Sequence, residues 1–227
     1  MPGDSAHIEI AQIAQVLADL PEAHTIWLSE SEQARLAEIR NTKRYAQYLA
    51  GHWLTRALLA RAFGGTPAQW QLLERKGQAP QVHGHSDVLK VSISHTEDWI
   101  AAAVATVAIG IDLEQRPRML DSAIEPMLLN ADEVPGNLDA DALLQRWVAK
   151  EAWIKCKGEI ALPTRLMQLH LRPEGREDAQ VRIDSHPAFH FGLAVDPDCK
   201  VTRHGDVTLV AGAGFAITDL EARAAPR

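Results

Sequence analysis

Apolar positions along the chain change period several times. Between residues 43 and 63 they recur at helical spacing, with Leu49, Trp53, Leu54, Ala57, Leu58 and Ala60 on one stripe, until Gly64 and Gly65 end the run. Leu28 and Ser29 lead into an acid-rich first turn at Glu30 and Glu32, the signature of an earlier helix start, so the first third reads as helical. The period falls to two at residues 91–95, and residues 99–107 are expected to pair with them as a second strand. Ile109, Ile111 and Leu113 then alternate with Gly110, Asp112 and Glu114. A strand here buries three aliphatics and turns two carboxylates to its opposite face. Helical spacing resumes after Pro135 and Gly136, running from about 139 to 157, where Gly158 stops it. Short strands are expected at 166–171, 181–183, 189–195, 207–210 and 214–217, with a frayed end over 218–227.

Helices followed by strands thus occur twice, which predicts an α+β fold in two halves: residues 1–108, residues 109–220, and a tail at 221–227. The composition, 46% apolar, 5% aromatic and 23% charged over 227 residues, suits a globular protein able to bury a core without disulfides or structural metal. Its two cysteines, Cys156 and Cys199, form no framework and fit a reducing compartment, so a cytoplasmic protein is expected. The longest apolar stretch, 99–111, is too short for a bilayer span, and the N-terminus lacks the basic-then-apolar order of a signal, so neither membrane nor export is expected.

A net charge of −7 argues against general nucleic-acid binding, since phosphate backbones are gripped by an excess of Lys and Arg. The charge is unevenly spread. Between residues 35 and 76 eight basic residues face only Glu38 and Glu74, so this one segment suits an anion, although a solvated helix surface produces the same count.

On the 139–157 helix, Leu144, Trp147, Val148, Glu151, Ile154 and Lys155 share one stripe. An i,i+4 pair of Glu151 and Lys155 contributes only a few tenths of a kcal/mol and does not account for charges in a core-facing stripe. With Asp112 and Glu114 on the strand, the chemistry is that of three carboxylates converging on a hard, oxygen-preferring cation, with Lys155 beside it to meet an anionic substrate. A solvated strand face remains the alternative.

The strings SISHTEDW at 92–99, IGIDLE at 109–114 and RWVAKEAWIKCKG at 146–158, in this order, resemble the 4'-phosphopantetheinyl transferases of the longer, two-halved, surfactin-synthetase-activating type. Those enzymes carry a Ser-His turn, a Gly-x-Asp-x-Glu strand and a Trp-x-x-Lys-Glu-x-x-x-Lys helix. The resemblance implies a monomeric pseudo-dimer of two similar halves with the active site between them. It implies transfer of the phosphopantetheine arm of coenzyme A to a serine of an acyl, aryl or peptidyl carrier protein, releasing adenosine 3',5'-bisphosphate. Asp112, Glu114 and Glu151 are then expected to hold magnesium, or manganese in its place, and Lys155 to neutralise a phosphate oxygen. Glu151, and after it Glu133, is the candidate base for the serine hydroxyl. Ser94 and His95 are expected at the coenzyme A phosphates. Arg35 matches one basic position that grips the 3'-phosphate; the other is Gln47, for which Lys43 and Arg44, one turn earlier, are the expected substitutes. Lys150 matches the family's Lys-Glu pair with its role open, and Arg56 is a candidate structural residue. The family's Gly-Lys-Pro loop is Gly77-Gln78-Ala79-Pro80 here, so Arg75 or Lys76 is left to supply the missing charge. A magnesium-dependent phosphohydrolase and a non-catalytic coenzyme A or carrier-binding module remain alternatives.

Overall fold

Ala6, Ile8 and Ile10 are buried while His7 and Glu9 between them stay half-exposed, and this alternation makes the first element a strand, β1 (Ser5–Gln12). The expectation of a wholly helical first third is corrected here: the three apolar residues lie at period two and pack into a sheet. The structure, a computed structural model, describes residues 3–23, 26–117, 128–130, 133, 138–159 and 163–220.

Helices α1 (Ile13–Ala18), α2 (Glu30–Glu38) and α3 (Thr42–Phe63) follow. Ser29 and Glu32 form a capping box at the start of α2, the Ser29 amide donating to Glu32 Oε2 at 2.7 Å and the Glu32 amide to Ser29 Oγ at 3.3 Å. Asn41 caps α3, and Gly64, at φ 88°, ends it in a conformation that only glycine adopts readily. The short pair β2 (Leu72–Leu73) and β3 (Gln81–Val82) precedes the hairpin β4 (Lys90–Thr96) and β5 (Trp99–Ala105), and β6 (Ile109–Gln115) begins a second sheet. Helix α4 (Ala140–Cys156), capped by Asp139, leads through α5 (Pro163–Met167) to β7 (Leu169–Glu174), β8 (Val181–His186), β9 (Phe189–Val195), β10 (Lys200–His204) and β11 (Val210–Asp219).

Three boundaries differ from the sequence pattern. Leu166 and Met167 close α5 instead of opening a strand. The strand expected at 207–210 is replaced by β10 upstream and β11 from Val210. Thr218 and Asp219 complete β11, where the Asp219 carboxylate accepts two hydrogen bonds from the Arg165 guanidinium, so the frayed end does not begin at 218. Residues 221–227 lie outside the described residues.

The strands form two main sheets, ordered β10-β1-β5-β4 and β6-β9-β8-β11-β7. Each contains the same run of elements: a first strand (β1 or β6), a long helix (α3 or α4), then a hairpin with a two-residue turn (β4–β5 or β8–β9) whose second strand pairs antiparallel with the first. One strand crosses over, since β10, late in the chain, pairs in parallel with β1. On β5 the alternation divides the core. Ile100, Ala102 and Val104 pack beneath α3, whereas Ala101, Ala103 and Ala105 join β1, β6 and β9 in a core common to both sheets. Among the described residues, no helix is long and apolar enough to cross a membrane.

Helix α4 lies unusually close to its sheet. A Cβ built on Gly110 stands 2.0 Å from the Ala152 carbonyl oxygen and 2.3 Å from the Cys156 amide nitrogen, and one on Gly192 stands 2.7 Å from Val148 Cγ1. Gly192 pairs with Asp112 across the β6–β9 ladder. The two glycines therefore form a notch that seats the helix backbone against the strand carrying the acidic residues.

Candidate functional site

Strand β4 meets β6 through side chains. Ser92 Oγ accepts the Ile111 amide at 3.0 Å and Ser94 Oγ accepts the Leu113 amide at 3.1 Å, so two hydroxyls serve the backbone donors along this seam. The seam floors a cleft of roughly 1270 Å3 whose walls come from α2, α3 and the 75–80 segment on one side and from α4 on the other.

Because Ile109, Ile111 and Leu113 turn into the common core, Asp112 and Glu114 face this cleft. Asp112 is 4% exposed; its Oδ1 accepts Lys155 Nζ at 2.6 Å and Ser94 Oγ at 3.0 Å, and Lys155 Nζ also donates to Ser94 Oγ at 3.2 Å. Asp112 Oδ2 is buried without a hydrogen-bond partner. Glu151 lies one helical turn before Lys155 and lines the same cleft. Burial, reinforced by Asp112 and Glu114 and opposed by Lys155, pushes the Glu151 carboxyl up to about 7. Burial would lower the Lys155 ammonium, but Asp112, Glu151 and Glu114 together raise it. Three carboxylates against one ammonium, with one carboxylate oxygen buried and unserved, make an all-oxygen donor set that fits a hard divalent cation. Among the described residues, no three Asp, Glu, His or Cys side chains stand grouped so that they could hold a metal ion as they are placed, and Lys155 sits on Oδ1 of Asp112.

The opposite wall is basic. Arg35, Arg44, Arg75 and Lys76 line it together with Gln47 and Ala79, the two positions at which the sequence lacks an expected charge. Arg44 donates to His95 Nε2, and His95 is pushed down to about 4 by burial and by Arg44, Lys155 and Lys43, against the pull of Asp112. Its ring is therefore neutral and accepts at Nε2. Burial and the nearby Arg35 also lower the Arg44 guanidinium, a like-charge arrangement that an anion relieves.

Of the residues singled out in the sequence, Arg35, Arg44, Ser94, His95, Asp112, Glu114, Glu151 and Lys155 share this one cleft. Two do not. Lys43 pairs with Glu97 on the β4–β5 turn and is not part of the lining, because one helical residue separates its direction from that of Arg44. Glu133 lies outside the cleft and is 3% exposed; it accepts Lys150 Nζ at 2.6 Å and the Leu171 amide at 2.8 Å. That pairing removes Glu133 from the candidates for the base. Lys150, fully buried, also donates to the carbonyls of Leu128 and Leu166, so the Lys-Glu pair of the motif divides its work: Glu151 faces the cleft and Lys150 braces the far side of α4. Arg56, also fully buried, ties Glu32 to α3 and is structural. The sequence reading did not single out Ser92 or His52. Ser92 was legible as the second serine of the alternating strand, whereas His52 depends on partners 20 and 22 residues away.

No protein-family model matches the chain. A 4'-phosphopantetheinyl transferase of Bacillus subtilis is 28% identical over 161 residues, 67% of this chain and 70% of that protein. The 4'-phosphopantetheinyl transferase psf-1 of Bacillus pumilus is 28% identical over 147 residues, 62% of this chain and 61% of its own length. A holo-(acyl-carrier-protein) synthase from Bacillus anthracis, crystallised in complex with CoA (3',5'-ADP), superposes with a TM-score of 0.38 and 17% identity over 44% of this chain and 93% of that one. The three motif strings in order and the sequence similarity to both curated relatives thus make this chain similar to the 4'-phosphopantetheinyl transferases of the longer, surfactin-synthetase-activating type.

Proposed function

We propose that this protein transfers the phosphopantetheine arm of coenzyme A to a serine of an acyl, aryl or peptidyl carrier protein, in a magnesium-dependent reaction that turns apo carrier into holo carrier. The observation that carries the reading is a single cleft with a carboxylate cluster on one wall and guanidinium and ammonium groups on the other, a charge pattern suited to a metal-bound pyrophosphate. Residues 1–108 and 109–220 act as two halves of a monomeric pseudo-dimer, each supplying one wall.

Asp112, Glu114 and Glu151 would hold the magnesium, which when bound would draw charge from the pyrophosphate and stabilise the departing phosphate. Lys155 moves from Asp112 to a phosphate oxygen, a contact its place at the cleft edge permits. Arg44 and the neutral His95, with Arg35, Arg75 and Lys76 beyond them, orient the nucleotide phosphates. The carrier serine oxygen bonds to the β-phosphorus as the bond from that phosphorus to the bridging oxygen breaks, and adenosine 3',5'-bisphosphate leaves. Glu151 receives the serine proton, directly or through a water.

The test is intact-mass spectrometry of apo carrier proteins incubated with this protein, coenzyme A and magnesium. A mass gain of one phosphopantetheine, abolished by a chelator and by Glu151→Gln, is the expected result. Hydrolysis of coenzyme A without any carrier modification overturns the reading in favour of a phosphohydrolase.

A further inference from the structure

A second buried polar network surrounds His52 on α3. The ring is 6% exposed and meets a carboxylate on each edge, Nδ1 at 2.7 Å from Glu32 Oε1 and Nε2 at 3.3 Å from Glu74 Oε1. Glu32 is sealed inside the fold, where Arg56 Nη2 at 2.6 Å and the Ser29 amide at 2.7 Å also hold it. Glu74 is different. It follows β2, its side chain is 21% exposed, and it heads the segment that brings Arg75, Lys76, Gly77, Gln78 and Ala79 to the cleft. Besides His52, the Tyr48 hydroxyl donates to Glu74 Oε1 at 2.9 Å, and the Glu74 amide donates to Ser31 Oγ at 3.2 Å. Tyr48 lies flat on His52, with ring centroids 4.1 Å apart.

We infer that His52 is a positioning residue that spans Glu32 and Glu74 and thereby sets the placement of the 75–80 segment along the basic wall of the cleft. The Nδ1 edge shares a hydrogen bond with Glu32 Oε1, and the Nε2 edge stands within ion-pair distance of Glu74 Oε1, so one ring bridges the two carboxylates. Buried Glu32, held by the Ser29 amide as well as by Arg56, is thus the point on which the His52 ring rests. Beyond Glu74 the segment is braced by two hydrogen bonds, Arg75 Nε donating to the Ala79 carbonyl at 3.0 Å and Gln78 Nε2 to the Gly158 carbonyl at the end of α4 at 3.4 Å. This chain has Gln78 and Ala79 where a lysine is absent, so the positive charge on this stretch comes from Arg75 and Lys76, next to the anchored Glu74. The inference rests on the transferase reading.

The test measures coenzyme A binding to the full chain by titration calorimetry without carrier, and KM and kcat in the transfer reaction, for His52→Leu, Glu74→Ala, the double variant and Arg56→Met. His52→Leu and Glu74→Ala are each expected to weaken coenzyme A binding and raise its KM about tenfold, with kcat within about twofold. The double variant binds no more weakly than Glu74→Ala, since both act through the same contact. Arg56→Met lowers stability but leaves coenzyme A affinity unchanged, because its guanidinium bonds Glu32 and the His52 carbonyl and does not touch Glu74. Wild-type affinity in His52→Leu, or an equal loss in Arg56→Met, overturns the inference by reducing His52 to packing. If His52→Leu does not fold, Glu74→Ala and Tyr48→Phe decide the same question at the exposed end of the network, wild-type affinity in both overturning it. A wild-type chain that does not bind coenzyme A overturns the transferase reading, and this inference with it.

Discussion

Ser94 Oγ donates to Asp112 Oδ1 at 3.0 Å while accepting the Leu113 amide at 3.1 Å and Lys155 Nζ at 3.2 Å, so one hydroxyl joins the seam between the sheets to the acidic cluster. Its donor and both lone pairs are used. Ser92 performs only the seam half of that work, at the Ile111 amide. Ser92→Ala and Ser94→Ala each leave a buried amide unserved, at a cost of about 1–3 kcal/mol in urea unfolding. Only Ser94→Ala is expected to lower transfer activity at temperatures where both variants remain folded. Equal activities would detach Ser94 from the site.

Lys150 is a buried ammonium whose three acceptors, Leu128 and Glu133 close together in the chain and Leu166 well beyond them, meet at one point. Lys150→Met leaves the Glu133 carboxylate buried without its cation and is expected to destabilise the fold by about 3–5 kcal/mol. Adding Glu133→Gln removes the stranded charge and should recover part of that loss. A double variant as unstable as the single one would show that packing, rather than charge, dominates at this position.

Two carboxylates titrate with opposite sign. Burial alone would raise Glu32, but hydrogen bonds from His52 and Arg56 overcome it and hold the carboxyl down at about 2, against an ordinary 4.5. Its contribution is fully present above pH 4.5 and fades as the pH falls toward 2, on the order of 3 kcal/mol. Glu151, raised to about 7, does the reverse: the folded chain keeps a proton that the unfolded chain has released, so stability declines as the pH rises from 4.5 to 7. In chelator, Glu151→Gln is therefore expected to be more stable than wild type at pH 8 by roughly 1–3 kcal/mol, with the gap closing toward pH 4.5. Urea unfolding across that range checks it, and parallel curves for the two proteins would refute the upward shift of Glu151.

Elements with local signals were legible in the sequence. The Ser29–Glu32 capping box, the stripe of α3 and its Gly64 stop, and the alternation of β6 are all written within a few neighbouring residues. The alternation of Ala6, Ile8 and Ile10 was equally local, but the helical pattern that follows masked it. Strand β10 has no such pattern, because Lys200–His204 pairs at a sheet edge with no consistently buried face. The role of Glu133 was illegible for another reason: its partner Lys150 is 17 residues away on a different element, and only the folded chain brings them together. Lys43 and Arg44, one residue apart, could not be ranked until the helix was oriented against β4.

The glycine two residues before Asp112 shows how close packing positions the site. Gly110 lies where the α4 backbone passes, and a methyl group there would come within 2.0 Å of the Ala152 carbonyl and 2.9 Å of Cys156 Cα. These are backbone atoms, so no side-chain rotation relieves the overlap, and the helix as a whole must lift or slide. Overpacking of this kind costs about 1–3 kcal/mol and sometimes more, and Gly110→Ala belongs at the upper end. The functional effect follows from the same displacement, since Ala152 and Cys156 each adjoin a residue of the cleft, Glu151 and Lys155, whose reach to Asp112 depends on the helix backbone. A shift near 1 Å is enough to cost about a hundredfold in rate. Gly110→Ala is therefore expected to lose activity out of proportion to its loss of stability when compared with Gly212→Ala, a glycine on β11 away from the cleft whose added Cβ stands 3.0 Å from the Ile183 carbonyl. Activity measured at matched folded fractions, read beside the urea midpoints, separates the two effects. If Gly110→Ala retains wild-type turnover once folded, the notch sets stability alone and does not place the acidic cluster.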